Sequence, residues 1–137
     1  MRTRVGMLAA LLALLESRAD PNEVHDVLRE VEDEDVKRLL ETYKIAANTA
    51  KDIGEVNIRS ELPEGTIVER RLEWRDDNTL IMDIKCPMKP ICNALEKLGY
   101  VDKSCLPAIL TLAAIGEGKI EKVDRSGDTC RVILRIK

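Results

Sequence analysis

Two segments in the C-terminal half of the chain carry apolar side chains at every second position. The apolar positions on one side are Leu80, Met82, Ile84 and Cys86 in the first segment, and Cys130, Val132, Leu134 and Ile136 in the second. Such alternation is typical of β-strands that bury one face. Both strands therefore need an apolar layer to cover them, and this requirement constrains the fold more than any other feature.

Each of these strands has a partner across a short turn. The four predicted strands cover residues 66–74, 79–86, 119–124 and 129–136. The turns at residues 76–78 and 125–128 make two hairpins. Between the hairpins, Pro90 and Pro107 each stand where a first helical turn would begin, and Gly99 and Gly116 provide stops. Two helices therefore separate two hairpins.

The N-terminal part of the chain has helical patterns. Three helices are predicted, at about residues 3–17, 20–31 and 33–53. The expected fold is α+β: N-terminal helices followed by a ββααββ unit whose four-stranded antiparallel sheet packs against helices. We expect a single domain over residues 1–137, with a helical segment at 1–54 and a strand-helix-strand unit at 64–137 for ligand and metal binding.

The first residues allow two interpretations. Met1-Arg2-Thr3-Arg4 precedes an apolar run at residues 5–15, and this order resembles a secretory signal. The run is too short to span a bilayer, and the cysteine pattern does not resemble a secreted disulfide scaffold. We favour a buried helix, and with it a cytoplasmic protein that has no membrane partner.

Charge and aromatic content argue against nucleic-acid binding. Acidic and basic side chains are interspersed, and the formal net charge is −3. Nucleic-acid surfaces need clustered basic side chains, and base stacking needs aromatic ones. The aromatic residues of this chain are Trp74, Tyr43 and Tyr100. We therefore expect no nucleic-acid partner.

All four cysteines lie beyond residue 85: Cys86, Cys92, Cys105 and Cys130. The sheet could bring Cys86 and Cys130 together, and the helical pair could supply the other two. Four soft thiolate ligands on one folding unit favour a tetrahedral zinc site. Two other interpretations stay open. The cysteines could form one or two disulfides, as in hyperthermophile proteins, or remain buried thiols that act as small apolar side chains.

His25 is the only histidine in the sequence. A catalytic pair of a serine or cysteine with histidine would have to use it. It stands among charged residues on a short predicted helix, so we expect it to face solvent. An enzyme is therefore the least favoured class of function.

The segment from about Arg70 to Lys137 resembles the vinyl-4-reductase domain family. The residues that carry the resemblance are Cys86-Pro87, Leu95 with Leu98-Gly99, Cys105, and Gly127-Asp128 with Cys130. The family is similar in fold to haem-based nitric-oxide sensors and to vesicle-tethering transport-particle subunits. The resemblance implies that the chain binds a small apolar molecule and that its cysteines are metal ligands.

The resemblance also implies an apolar cavity between the sheet and the helices. Its expected lining is Met82, Ile84, Val132 and Leu134. Trp74 could line the same pocket, although a core position at a strand end is favoured. The chain has no Phe, so we expect an aliphatic ligand rather than a stacked planar one.

Three functions follow, in order of preference. The first is a small-molecule-binding or sensing module with a structural zinc at the four cysteines. The second is a homodimeric interaction or scaffold subunit, because residues 5–15 are apolar on more than one helical face and a second copy could cover them. The third is a hydrolase-like enzyme, since the broad family that the chain resembles includes hydrolase-like proteins.

Overall fold

The computed structural model describes residues 21–61, 67–86, 89–99, 105–116 and 118–137. The helix predicted at about residues 3–17 lies outside these ranges. The described helices are α1 (Pro21–Arg29), α2 (Glu34–Ile53), α3 (Lys89–Lys97) and α4 (Leu106–Ile115). The described strands are β1 (Glu55–Glu61), β2 (Ile67–Asp76), β3 (Thr79–Lys85), β4 (Gly118–Asp124) and β5 (Cys130–Ile136).

The helix boundaries confirm the predicted start and stop signals. Asp33 caps α2, because its Oδ1 accepts hydrogen bonds from the amides of Asp35 and Val36 at 2.9 and 3.1 Å. Gly54 ends the same helix with a φ of 97°, a conformation that glycine adopts at least cost. α4 has a proline in its first turn and a glycine directly after its last residue. No helix in the described ranges has both the length and the apolar character needed to cross a membrane.

Arg29 joins the end of α1 to the end of α4. Its guanidinium donates to the carbonyl oxygens of Leu112 at 3.2 Å, Ala113 at 3.1 Å and Gly116 at 2.7 Å. The last carbonyls of a helix have no partner within it, and this end attracts positive charge. The contact therefore fixes α1 against α4.

The sheet is antiparallel throughout, and its strand order is β1-β2-β3-β5-β4. The four predicted strands correspond to β2, β3, β4 and β5. In the central pair, Met82 lies opposite Val132 and Ile84 lies opposite Cys130. The predicted alternation is confirmed, since these side chains are buried on one face.

The prediction of a four-stranded sheet was wrong, because residues 55–61 form a fifth strand. This strand, β1, pairs with β2 along its whole length. Only two of its side chains, Val56 and Ile58, are apolar, and both are half-buried against the core. So short an alternation among polar residues is a weak strand signal. Pairing with β2 defines the strand instead, and the α+β class is confirmed.

The described helices α1, α2 and α4 pack on one face of the sheet. α2 lies over β1 and β2, and α4 lies against β4, β5 and the two other helices. The core between these layers is formed by small residues from α2 and by aliphatic residues from α4 and the strands. Its fully buried large side chains include Leu72, Leu80, Met82, Ile84, Ile109, Leu112, Ile120, Val132 and Leu134.

The opposite face of the sheet carries ion pairs. Arg131 donates to both carboxylate oxygens of Asp83, at 2.9 and 3.2 Å. Arg71 pairs with Glu55 on β1 and with Glu73 on its own strand. Exposed pairs of this kind contribute about 0–1 kcal/mol each. This face therefore contributes less to stability than the apolar layer on the other side.

The spacing of Ile91, Leu95 and Leu98 in the sequence predicts that all three are buried, and for Leu98 this prediction was wrong. Its side chain is 72% exposed, because α3 ends at Lys97 and Leu98 lies in the following turn. The side chains of Ile91 and Leu95, which were predicted to be buried with it, lie outside the described part of the chain.

Candidate functional site

The four predicted metal ligands gather at one end of the sheet. Cys86 directly follows β3, and Cys130 is the first residue of β5. Ile84 lies opposite Cys130 and is two residues before Cys86, so both cysteines belong to the core face at the same end. Cys92 is in α3, and Cys105 is the N-cap residue of α4. Four separate elements thus contribute one cysteine each.

Arg125 holds α3 over this end of the sheet. Its buried guanidinium lies 2.7 Å from the carboxylate of Glu96 in α3. Lys89, at the start of α3, donates from Nζ to the backbone oxygen of Arg125 at 2.7 Å. These contacts tie both ends of a short helix to the turn between β4 and β5. Cys92 is buried between them.

The cysteine sulfurs lie close enough together for the charge of one to shift the pKa of another. Burial raises the pKa of the Cys92 and Cys130 thiols, and it raises the pKa of Cys105 to about 12. Cys86 and Cys130 add to the pKa rise at both Cys92 and Cys105. Cys105 is only half-buried by surface area, yet protein surrounds its sulfur. No disulfide joins the four cysteines. Because burial raises their pKa values, the Cys92, Cys105 and Cys130 thiols are protonated near neutral pH when no metal is bound.

Two positive side chains oppose the effect of burial. Arg125 lowers the pKa of the Cys92, Cys105 and Cys130 thiols, and Lys89 does the same at Cys130. A nearby opposite charge favours the ionised form of a thiol. Four thiolates around Zn²⁺ leave an excess of negative charge. Arg125 and Lys89 supply the compensating charge on the protein side.

Sulfur is a donor atom that suits zinc, but the four sulfurs lie farther apart than in a closed zinc site. Closed zinc sites hold four sulfurs at about 2.3 Å from the metal. Among the residues that the structure describes, no group of three or more His, Cys, Asp or Glu side chains is spaced to hold a metal ion. Zinc binding therefore requires the cysteine side chains to draw closer together than they lie here.

Arg70 and Tyr43 adjoin the cysteine cluster, and neither was a predicted site residue. Arg70 is 4% exposed, and its guanidinium carbon lies 4.0 Å from the centroid of the Tyr43 ring. Its Nη1 is buried without a hydrogen-bond partner. Burial raises the pKa of the Tyr43 hydroxyl, Arg70 opposes the rise, and Cys105 and Cys86 add to it. Tyr43 thus lies near both Arg70 and the cysteines.

The sequence contains a signal for Arg70 that could have been used. Arg70 shares a strand face with Val68 and Leu72, since side chains alternate along β2. Leu72 is fully buried and Val68 packs against the core. A charged residue between two core-facing apolar residues is uncommon, and it is often a functional residue or half of an ion pair.

Four of the predicted pocket residues form the centre of the core. Met82, Ile84, Val132 and Leu134 are fully buried in the described structure. They pack directly beneath the helices as part of one apolar cluster.

Trp74, the fifth predicted pocket residue, is half-buried and contacts α2. Its Nε1 donates to the backbone oxygen of Ala47 at 3.0 Å. The Nζ of Lys51 lies 4.6 Å from the centroid of its ring. These contacts attach the end of β2 to α2.

Two open grooves lie on the surface of the described structure. One, of about 440 Å³, crosses the charged face of the sheet beside Arg59, Arg71 and Asp83. The other, of about 460 Å³, runs between α3 and the end of β4, beside Lys97 and Lys122. None of the predicted pocket residues lines either groove, and the interior cavity stays a prediction.

The prediction that His25 faces solvent was wrong. His25 is 3% exposed, because its face of α1 also carries Val24 and Leu28, which pack against the core. Its Nδ1 lies 3.1 Å from the Asp26 carboxylate and 3.3 Å from Nη2 of Arg29. Its Nε2 is buried without a hydrogen-bond partner. The charged residues beside His25 in the sequence made the apolar face of this short helix difficult to recognise.

Comparison with known proteins identified no relative of this chain. No protein-family model matches it, and neither a curated protein nor a solved structure does. The resemblance to the vinyl-4-reductase domain stays a prediction, and it rests on the motif residues around the four cysteines.

Proposed function

We propose that this chain is a small-molecule-binding or sensing module in which four cysteine thiolates hold a structural zinc ion. The observation that carries the proposal is the gathering of Cys86, Cys92, Cys105 and Cys130 at one end of the sheet, where Cys86 and Cys130 act on the ionisation of the other two. We also propose a cytoplasmic location, where reducing conditions keep thiols available for metal.

Each part of the cluster has a role in this proposal. Cys92 and Cys105 attach α3 and α4 to the sheet, while Cys86 and Cys130 anchor the site on β3 and β5. Arg125 and Lys89 stabilise the thiolates electrostatically. When bound, zinc supplies a cross-link among four elements that are far apart in the sequence.

The ligand site of this proposal lies at the same end of the apolar layer. The centre of the layer is fully buried, whereas Ile58, Val68, Cys86 and Cys105 are only half-buried and pack against its margin. Apolar side chains at the margin can contact a small aliphatic molecule that enters between sheet and helices. Ile84 then forms the inner wall of the pocket, in line with the predicted lining.

Metal analysis of protein purified without a histidine tag tests the zinc part of the proposal. We expect about one zinc per chain in the wild type. The Cys105→Ser variant should lose zinc and melt at a lower temperature. Leu110→Ala, in the helix that follows Cys105, provides the control, since Leu110 is buried and carries no ligand atom. This variant should also melt at a lower temperature but keep its zinc.

Two outcomes would count against the zinc proposal. Wild-type protein without any bound transition metal would contradict it directly. Zinc retained in full by Cys105→Ser would show that this cysteine is not a ligand and that the metal, if bound, lies elsewhere.

A second candidate function, a homodimeric interaction subunit, is favoured by one observation. α2 exposes three large apolar side chains along its length, Leu39, Ile45 and Ile53, and Ile45 is 57% exposed. Exposed apolar surface can be an interaction site. The N-terminal helix that first motivated a dimer lies outside the described residues, so we propose a two-fold contact that includes this face of α2.

Light scattering at micromolar concentration tests the dimer. We expect the wild type to be dimeric and Ile45→Glu to shift the protein toward monomers. Lys44→Glu is the matched control, because Lys44 is an exposed neighbour on the same helix and its change should leave the mass unaltered. A monomeric wild type would exclude the dimer.

A further inference from the structure

We propose that Arg70 and Tyr43 recognise the carboxylate of an aliphatic acid, which names the ligand class of the binding module. The inference rests on the proposed small-molecule site and adds a specific polar contact to it. Its basis is a buried guanidinium at the margin of the apolar layer, with one nitrogen that makes no hydrogen bond.

The charge of Arg70 needs an anion. A guanidinium is ionised at every pH that a protein meets, and burying it without a partner is strongly unfavourable. The ring of Tyr43 offers its π face to the cation, but this contact accepts no N–H hydrogen bond in the guanidinium plane. Within the described part of the chain, no carboxylate lies within ion-pair distance of Arg70.

Three of the four cysteine thiols are compensated by other positive side chains. Arg125 and Lys89 are the positive side chains that act on the Cys92, Cys105 and Cys130 thiols, and Arg70 is not among those acting on them. The effect of Arg70 falls on Tyr43 instead. Compensation of these three thiols therefore does not explain why a guanidinium is buried at this position.

The surroundings of Arg70 favour an aliphatic carboxylate over other anions. Across the sheet Arg70 lies opposite Ile58 on one side and Ile84 on the other. One planar guanidinium can bind one planar carboxylate through two parallel hydrogen bonds. The neighbouring isoleucines can contact a hydrocarbon tail, and the Tyr43 hydroxyl, whose raised pKa keeps it protonated, can donate a second hydrogen bond.

Calorimetric titration of the zinc-loaded protein with octanoate, octanol and acetate tests the inference. The wild type should bind octanoate at least about 30-fold more tightly than octanol, as expected for charge-assisted hydrogen bonds. Acetate should bind weakly, because it lacks the tail. In Arg70→Met, octanoate affinity should fall about 30-fold while octanol affinity stays within about two-fold.

Two further variants keep the result interpretable. Arg70→Lys retains the charge but loses the planar pair of donors, so its octanoate affinity should lie between those of the wild type and Arg70→Met. Arg135→Met removes an exposed arginine from β5 that pairs with Glu121, and it should leave octanoate binding unchanged.

The outcomes separate this inference from the proposed function. Equal binding of octanoate and octanol by the wild type would overturn carboxylate recognition and leave a binding module for neutral molecules. If neither compound binds, and Arg70→Met melts far below the wild type while keeping its zinc, a carboxylate of the chain itself neutralises Arg70. That result would overturn the inference while leaving the zinc site intact.

Discussion

Three arginine side chains contact the protein interior, and each has a different kind of neighbour. They are Arg29, Arg70 and Arg125. Arg29 donates to backbone carbonyls at the end of α4, and Arg125 pairs with Glu96. Arg70 has the Tyr43 ring as its neighbour and one buried nitrogen without an acceptor. A buried charge is costly unless it is paired. The first two arginines have partners within the fold, and the third is the one that we propose to bind a carboxylate.

Substitution of Arg29 tests how strongly its contact with the end of α4 stabilises the fold. Arg29→Ala should lower the free energy of unfolding by about 2 kcal/mol, because it removes charged donors from three carbonyls at a helix end. Urea denaturation measures the change. Arg38→Ala is the control, since Arg38 pairs with Asp35 on the exposed surface, and it should change stability by less than about 0.5 kcal/mol. Equal effects of the two variants would contradict the capping role.

The raised pKa values of the cysteines predict a strong pH dependence of zinc binding. Burial keeps the Cys92, Cys105 and Cys130 thiols protonated well above neutral pH, whereas zinc binds thiolates. Each of these thiols must release a proton, so zinc affinity should rise with pH by roughly 10³-fold per unit near neutrality. Competition with a chromophoric chelator at two pH values measures this slope. A slope near zero would show that these thiols are not the ligands.

At the scale of elements, the sequence predicted those segments whose side-chain pattern and end signals agree. β3 and β5 carry apolar side chains at every second position, and Asp33 with Gly54 bounds α2, so these elements were predicted within a residue or two. β1 was not predicted, because its strand conformation depends on pairing with β2 and its own pattern is weak. Non-local pairing cannot be read from one segment.

Part of the candidate site could also be predicted from the sequence. The cysteines could be identified from their residue type and their places at the ends of elements. Arg70 could have been identified from its place between two core-facing apolar residues of β2. Arg125 could not, because arginine is usually exposed and only the packed structure shows that it is buried. His25 was misjudged for the same reason, since its burial depends on the docking of α1 against α4.

Substitution of Gly118 tests how closely α4, β4 and β5 pack against one another. A Cβ at this position would lie 2.7 Å from the Arg135 backbone oxygen and 2.9 Å from Cδ2 of Leu112. Gly118→Ala should therefore lower the free energy of unfolding by about 1–3 kcal/mol, measured by urea denaturation. At Gly127 a Cβ would meet nothing within 4 Å, so Gly127→Ala should change stability by less than about 0.5 kcal/mol. A harmless Gly118→Ala would show that the packing is looser.

At the scale of the whole molecule, packing differs between the middle and one end of the two-layer fold. The middle is filled by fully buried aliphatic side chains from β2, β3, β5 and α4. The end that holds the cysteines combines half-buried apolar residues, thiols and buried positive charges. Stability and the proposed binding function are therefore assigned to different regions, so variants in one region should leave the other measurable.

X-ray absorption spectroscopy at the zinc edge tests the central claim most directly. On untagged protein, the account predicts a zinc ion surrounded by four sulfur atoms at about 2.3 Å. The Cys105→Ser variant should show fewer sulfur neighbours or no zinc at all. A wild-type spectrum dominated by nitrogen or oxygen neighbours, or protein that contains no zinc, would contradict the claim that Cys86, Cys92, Cys105 and Cys130 form a structural metal centre.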